Sequence, residues 1–198
     1  MREKFHIVGI GVSEGGQKGL LEFLQHLPPE PDMAFVVVYN TTYNFDEIIS
    51  RASPVQALPV KHGAKIKRNH LYIAPKDVFV SIEDGCFKLE EMEEREGIID
   101  FFFTSLAHDS GECAVGVILS RSGDEGFIGL ADIDTYGGKI LIQSRSAAPF
   151  DPQRMPIAAL DAVHPTLVAS PTTLALYLTS FALFNVFKRT VSDHSSNQ

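Results

Sequence analysis

The first half of the chain alternates short apolar runs with amphipathic helical patterns. Apolar runs of strand length cover residues 5–10 and 33–39, and apolar positions at helical spacing cover residues 16–27 and 45–52. Such alternation is typical of a mostly parallel sheet with helices on both faces. The run at residues 34–38 is apolar at every position, so we expect its strand to be central and covered on both sides.

The middle of the chain has a different pattern, with three short strand-like segments and no helical pattern between them. These segments are residues 71–74, 78–82 and 86–89, and Asp84-Gly85 stands between the last two. Asp-Gly between two such runs predicts a tight β-hairpin. The acidic stretch that follows, residues 90–96, is predicted to be a solvated loop.

The alternation then resumes up to an apolar C-terminal segment. It predicts a helix, a strand, a helix and a strand at residues 99–107, 114–119, 127–136 and 139–143. Gly137-Gly138 separates the last two. The apolar residues 174–187 predict a packing helix, because the run is too short and too interrupted to span a membrane. We expect one domain over residues 1–187 and a disordered tail over residues 188–198. The fold class predicted is α/β, a doubly wound, mostly parallel sheet with a small hairpin excursion.

Composition narrows the possible partners and the compartment. A net charge of −8 argues against nucleic acid or an anionic membrane as the main partner, because both require clustered Lys and Arg. The two cysteines, Cys86 and Cys113, suit a reducing compartment, and no export segment precedes the first strand. The histidine spacings match no zinc pattern. We therefore predict a cytoplasmic protein with no metal and no cofactor, and the oligomeric state stays open.

The segment with the clearest chemistry is Gly11-Val12-Ser13-Glu14-Gly15-Gly16, which lies between the first predicted strand and the first helix. It matches the G-x-S-x-G nucleophile elbow, in which a serine is exposed at a sharp turn near helix N-terminal amides. Three readings of Ser13 stay open: a structural helix cap, part of a ligand-binding turn, and a nucleophile. The glycines and Val12 and Glu14 are candidate substrate-binding residues around it.

Two further loops should meet Ser13, because ligands of open α/β sheets bind beyond the carboxyl ends of the strands. The second strand ends at Asn40-Thr41-Thr42, and the loop after the strand at 114–119 reads SRSGDEG over residues 120–126. Glu125 or Asp124 could supply a carboxylate. Asn40 cannot act as a general base, since an amide does not accept a proton at neutral pH.

These loops resemble the catalytic domain of CheB-type chemotaxis methylesterases, which remove methyl groups from receptor glutamates. The resemblance extends over residues 5–170. It rests on IVGIGVSEGG at residues 7–16, MAFVVV at 33–38, NHLYIAP at 69–75, DFFFTSLA at 100–107, GVILS at 116–120 and MPIAA at 155–159.

The resemblance implies a catalytic triad that has changed at two of its three positions. The family's nucleophile matches Ser13, its histidine falls on Asn40, and its aspartate falls on Glu125. Arg121 stands at the first glycine of the loop before the acid, where it could obstruct the pocket or pair with Glu125. Arg121, Ser122 and Asp124 are candidate substrate-binding residues. A Ser-His-Glu arrangement is known, so the glutamate alone would be tolerated.

Three functions follow from this pattern. The first is a CheB-type domain that has lost its base and acts as a binding or regulatory module. Its implied partners are the cytoplasmic domain of a chemoreceptor or another signalling protein. The second is a working esterase that uses Ser13 with an unconventional base, and the third is a small-anion binder at the Ser13 turn.

Overall fold

A computed structural model describes residues 4–13, 15–40, 45–91, 96–119, 125–144 and 163–195, with side chains up to Phe184. The strands are β1 (Ile7–Val12), β2 (Ala34–Tyr39), β3 (Gln56–Pro59), β4 (His70–Ile73), β5 (Val78–Glu83), β6 (Cys86–Glu91), β7 (Ala114–Ile118), β8 (Lys139–Gln143) and β9 (Leu167–Ala169). The helices are α1 (Gln17–Gln25), α2 (Asp46–Ala52), α3 (Ile98–Ser110), α4 (Phe127–Thr135) and α5 (Pro171–Ser195), and a 3₁₀ turn at Gly111–Cys113 follows α3.

Seven strands form one sheet in the order β3-β4-β2-β1-β7-β8-β9, and every neighbouring pair is parallel. Its two faces are covered by different helices. Val36 belongs to a core shared with α3, α4 and the hairpin, whereas Phe35 and Val37 belong to a core shared with α1, α2 and α5. All six residues of β2 are buried, as the uniformly apolar run predicts. The doubly wound α/β fold predicted from the sequence is confirmed.

The hairpin β5–β6 forms a separate two-stranded antiparallel sheet, as predicted. Asp84 and Gly85 both have positive φ, 51° and 72°, which is the backbone that a two-residue turn of this kind requires. The hairpin is held on α3, because the Ile82 N–H donates to Ser105 Oγ at 3.1 Å. One prediction is wrong here: Glu90 and Glu91 extend β6 and are not part of a loop.

Two strands that the sequence did not reveal lie at the two edges of the large sheet. β3 has four residues, none of them fully buried, and β9 has three, also none fully buried. An edge strand has a neighbour on one side alone and can be short and half exposed, so it leaves no apolar run in the sequence.

The last helix departs from prediction in two ways. α5 continues to Ser195, so residues 188–195 are helical rather than a disordered tail. Leu174, Leu178 and Ala182 are buried against the sheet, but Leu183 and Phe184 are exposed, so the apolar positions do not all face the core. Within the described part of the chain, no helix is long and apolar enough to cross a membrane.

Candidate active site

The ends of β1, β2 and β7 meet at the carboxyl edge of the sheet, as the sequence predicts. β1 lies between β2 and β7 in the strand order, and the chain winds outward in opposite directions on the two sides of β1. Hydrogen bonds join the ends of these strands: the Asn40 N–H donates to the Val12 carbonyl at 3.0 Å, and the Leu119 N–H donates to the Gly11 carbonyl at 3.0 Å. This is the switch point at which open α/β sheets bind ligands.

Ser13 stands at the turn between β1 and α1. The Gly16 N–H donates to the Ser13 carbonyl at 3.0 Å, and α1 begins directly after Gly16. A Cβ atom on Gly16 would lie 2.0 Å from the Leu119 carbonyl oxygen. Glycine is therefore required at position 16, because this turn passes directly against the end of β7.

Asn40 and Glu125 are bound to each other across 85 residues of sequence. Asn40 Nδ2 donates to Glu125 Oε2 at 2.8 Å. Val12 and Tyr39 are register partners whose side chains enter the core beneath α1 and α2. Because side chains alternate between the faces of a sheet, Asn40 points to the opposite face, where α3 and α4 lie.

The other oxygen of Glu125 binds the start of α3. The Ile99 N–H donates to Glu125 Oε1 at 3.2 Å, so the carboxylate satisfies one of the free amides at this helix N-terminus. A negative charge at this position is favoured by the helix dipole. Glu125 therefore connects two elements, β2 through Asn40 and α3 through Ile99.

Tyr39 anchors the strand end that carries Asn40. Its side chain is 5% exposed, and its hydroxyl donates to Asp46 Oδ1 at 2.8 Å, at the first residue of α2. Burial, and then the hydrogen bond to the Asp46 carboxylate, raise the pKa of the Tyr39 hydroxyl well above its ordinary value. The hydroxyl is therefore a neutral donor that ties β2 to α2 beside the site.

The pair formed by Asn40 and Glu125 has the hydrogen-bond polarity of the histidine and the acid in a serine triad, with an amide as the donor. An ionised carboxylate only accepts hydrogen bonds, so the amide NH₂ of Asn40 must face Glu125, and Oδ1 is the acceptor that remains. In a histidine the corresponding atom is a nitrogen that can take the proton of the serine. The amide oxygen can accept a hydrogen bond but cannot take the proton at neutral pH.

The described histidine side chains form their contacts elsewhere. These contacts are His6 with Phe181, His26 with the Glu22 carbonyl, His62 with the Leu89 N–H, His70 with the Arg68 carbonyl, His108 with Tyr136, and His164 with Asp134. None of these contacts involves Ser13, Asn40 or Glu125.

The remaining predicted site residues divide into two groups. Val12 is fully buried in the core and Gly11 is buried within β1, so only their backbone could contact a substrate, and their binding role stays a prediction. Gly15 is exposed at the turn, and its binding role stays a prediction. Glu14, Thr41, Thr42, Arg121, Ser122 and Asp124 lie outside the described residues. Among the described residues, no group of His, Cys, Asp or Glu could hold a metal ion.

Sequence reasoning missed Tyr39, Ile99 and Asp100 as parts of this site. Ile99 contributes a backbone N–H, which no side-chain pattern reveals. The Tyr39 hydroxyl donates to Asp46 at the start of the next helix, and the Asp100 carboxylate accepts from the Gly126 N–H, 26 residues away.

Comparisons with known proteins bear on the family and the fold. The family model described as CheB methylesterase matches residues 8–178. A protein-glutamate methylesterase/protein-glutamine glutaminase of Nitrosomonas europaea is 26% identical over 151 residues, which cover 71% of this chain and 42% of that protein. A relative of the same description from Syntrophus aciditrophicus is 26% identical over 188 residues, which cover 91% of this chain and 53% of the relative. The chain thus spans about half or less of the length of these curated relatives.

A solved structure supports the fold. The catalytic domain of the Thermotoga maritima CheB methylesterase superposes with a TM-score of 0.77 at 22% identity, and the match covers 90% of this chain and all of that domain. Since the family model matches most of the chain, this chain belongs to the CheB methylesterase family.

Proposed function

We propose that this chain is a CheB-type domain of chemosensory signalling that has lost efficient hydrolysis and acts as a binding or regulatory module. The observation that carries the proposal is the hydrogen bond from Asn40 Nδ2 to Glu125 Oε2, at 2.8 Å. In the proposed correspondence with the family, this amide takes the position of the imidazole of the triad, between the serine turn and the acid. The carboxylate is engaged, but its partner is an amide and not an imidazole that it could orient.

The expected loss of rate is large. Removing the histidine from a comparable serine triad lowers turnover by about 10⁶, or roughly 8 kcal/mol of barrier. The amides around the Ser13 turn could still stabilise an oxyanion, which leaves a small residual rate over water. A rate of that size would be too low to control receptor methylation.

The proposed partner is the cytoplasmic domain of a chemoreceptor, and the proposed setting is the cytoplasm. The relatives are named protein-glutamate methylesterase/protein-glutamine glutaminase, and a domain of their fold could retain a surface for the same class of protein after losing its base. Another signalling protein is the alternative partner. We do not expect nucleic acid as a partner, because the chain carries a net charge of −8.

The proposal is tested with the native chain and Ser13→Ala. Methanol release from a methylated receptor fragment and ammonia release from a glutamine-bearing fragment measure the two activities named for the relatives. We expect both proteins to give the same background rate, and a fluorophosphonate to leave Ser13 unlabelled. Release by the native chain that Ser13→Ala abolishes would overturn the loss of hydrolysis.

Binding is measured separately, by titrating the same receptor fragment into either protein. We expect a saturable complex that Ser13→Ala leaves unchanged. The absence of a complex at high micromolar concentrations would overturn the chemoreceptor as partner while leaving the hydrolysis result intact.

A working esterase is the second candidate, and it is favoured by the turn itself. Gly16 keeps the close approach that the elbow requires, and Glu125 keeps a carboxylate at the acid position. The third candidate, an anion binder, rests on α1, which begins after Gly16, a residue without a side chain to cap the helix. The absence of any thermal stabilisation by phosphate or carboxylates would count against that candidate.

A further inference from the structure

The helices α3 and α4 cap each other at the edge of the candidate site. Glu125, just before α4, accepts from the Ile99 N–H at the start of α3. Asp100, in the first turn of α3, accepts from the start of α4 with both carboxylate oxygens: Oδ2 from the Gly126 N–H and Oδ1 from the Gly129 N–H, each at 2.9 Å. Each helix thus supplies the carboxylate that satisfies the N-terminal amides of the other.

α3 and α4 pack so closely at their N-terminal ends that neither helix can shift far relative to the other. A Cβ atom on Gly129 would lie 2.6 Å from the Asp100 carbonyl oxygen and 2.5 Å from the Phe103 Cβ. The backbones of α3 and α4 therefore approach each other closely where Gly129 meets Asp100, within the first turn of α4. A bidentate carboxylate at this point fixes both the distance and the rotation of the start of α4.

We propose that Asp100 is the positioning residue of the site. By binding the Gly126 and Gly129 N–H groups, it fixes the backbone that carries Glu125, and through Glu125 it fixes the side chain of Asn40. The proposal deepens the proposed function because it concerns the same site. The proposal predicts that the hydrogen bond from Asn40 to Glu125 depends on Asp100. The strength of this bond can be measured whether or not the chain hydrolyses an ester or binds a partner. A negative result for one proposal therefore leaves the other standing.

A second link between the same helices serves as the comparison. Thr104 Oγ1 donates to Asp132 Oδ2 at 2.6 Å, about one turn further along α3 and away from Glu125. Asp132→Asn weakens the packing of α3 on α4 but leaves the start of α4 unchanged. It is therefore the matched control for a general loss of helix packing.

The test measures solvent exchange of the Asn40 carboxamide protons by ¹⁵N NMR, with the resonance identified by its loss in Asn40→Ser. In Asp100→Asn one oxygen is replaced by an NH₂ group, which must face a backbone N–H. We expect the carboxamide to exchange roughly tenfold faster than in the native chain, the effect of losing a charge-assisted hydrogen bond. Glu125→Gln should accelerate exchange at least as much, and Asp132→Asn should change it by less than about twofold.

Two results would overturn the proposal. The first is an unchanged exchange rate in folded Asp100→Asn, and the second is an equal acceleration in Asp132→Asn, which would reduce Asp100 to ordinary packing. Urea unfolding of each variant shows whether the two substitutions cost similar stability. If Asp100→Asn fails to fold, Asp100→Glu keeps the charge, displaces the carboxylate by one methylene, and should show the same faster exchange.

Discussion

The two ends of the central sheet hold polar clusters of opposite character. At the amino end, Arg68 donates to Asp32 at 2.5 Å and to the Lys4 carbonyl at 3.2 Å. The guanidinium carbon lies 5.1 Å from the ring centre of Phe5. At the carboxyl end, a neutral amide and a helix N-terminus share one carboxylate, Glu125.

Under the proposed function, the difference shows how a site could lose its chemistry and keep its architecture. The amino-end cluster is a charge pair that joins the segments before β2 and before β4, with a further hydrogen bond to the segment before β1, so its effect is on stability. The carboxyl-end cluster keeps the carboxylate engaged by two partners, so under the proposed function an amide at position 40 leaves the acid satisfied without supplying a base. Substitutions at the amino end should therefore change unfolding, and substitution of Asn40 should change reactivity.

The largest expected effect is on reactivity at the carboxyl end. Asn40→His restores a nitrogen that can accept the Ser13 proton and donate to Glu125, so methanol release should rise at least about a hundredfold over the native chain. Adding Glu125→Asp to Asn40→His tests whether the shorter acid raises the rate of methanol release further.

The control for this gain is Ser13→Ala combined with Asn40→His, which should return to the native rate. Unfolding of Asn40→His in urea should change by less than about 1 kcal/mol. If neither histidine variant gains activity, one of two assumptions is wrong. Either Asn40 does not correspond to the histidine of the family, or the pocket is not open to the substrate.

Gly16→Ala should cause the largest loss of stability at the carboxyl end. The added Cβ would meet the backbone oxygen of Leu119 at 2.0 Å, and neither backbone can yield cheaply, so the free energy of unfolding should fall by about 3 kcal/mol. Urea unfolding measures it.

The matched control is Gly63→Ala, because Gly63 has no atom within 4 Å of an added Cβ but has a φ of 73°. This control should lose about 1 kcal/mol from backbone strain alone. Equal losses in the two variants would contradict the close approach of the Ser13 turn to β7.

Arg68→Ala tests the amino end. Both partners are mostly buried, with side chains 17% and 21% exposed, so removing the guanidinium leaves Asp32 without its charge partner and should cost about 2 kcal/mol. Arg51→Ala breaks a pair with Glu47 whose side chains are 79% and 76% exposed and should leave stability almost unchanged. Similar losses in both variants would show that burial does not distinguish these pairs.

Tyr39→Phe should give the smallest effect, about 1 kcal/mol at neutral pH, from the lost hydrogen bond to Asp46. Because the folded pKa of Tyr39 is raised, the native chain has its full stability below the pKa of an unfolded tyrosine, about 10. Above that pH the unfolded state loses the proton first, so the folded state becomes less stable.

The pH dependence separates Tyr39 from other tyrosines. The pKa of Tyr72 is also raised, by burial, but Tyr72 is present in both proteins and its contribution cancels in their difference. Urea unfolding from pH 9 to pH 11 should show the native chain losing stability more steeply than Tyr39→Phe. Parallel curves would show that the Tyr39 hydroxyl is not held in its protonated form.

Most of the central fold was predictable, and its edges were not. β1, β2, β7 and β8 are buried on both faces and leave apolar runs that a sequence shows directly. β3 and β9 are short and half exposed, so their pairing depends on neighbours rather than on composition. The C-terminal helix was recognised, but its continuation to Ser195 was not.

The sequence alone determined the α/β alternation, the Ser13 turn, and the asparagine that follows the second strand, because each is a property of adjacent residues. The tertiary structure decided which atoms meet. It turned the amide of Asn40 toward Glu125, gave the other oxygen of Glu125 to Ile99, and tied Asp100 to the start of α4. Such contacts join residues many positions apart through single backbone or side-chain atoms, and their geometry exists only once the helices have packed.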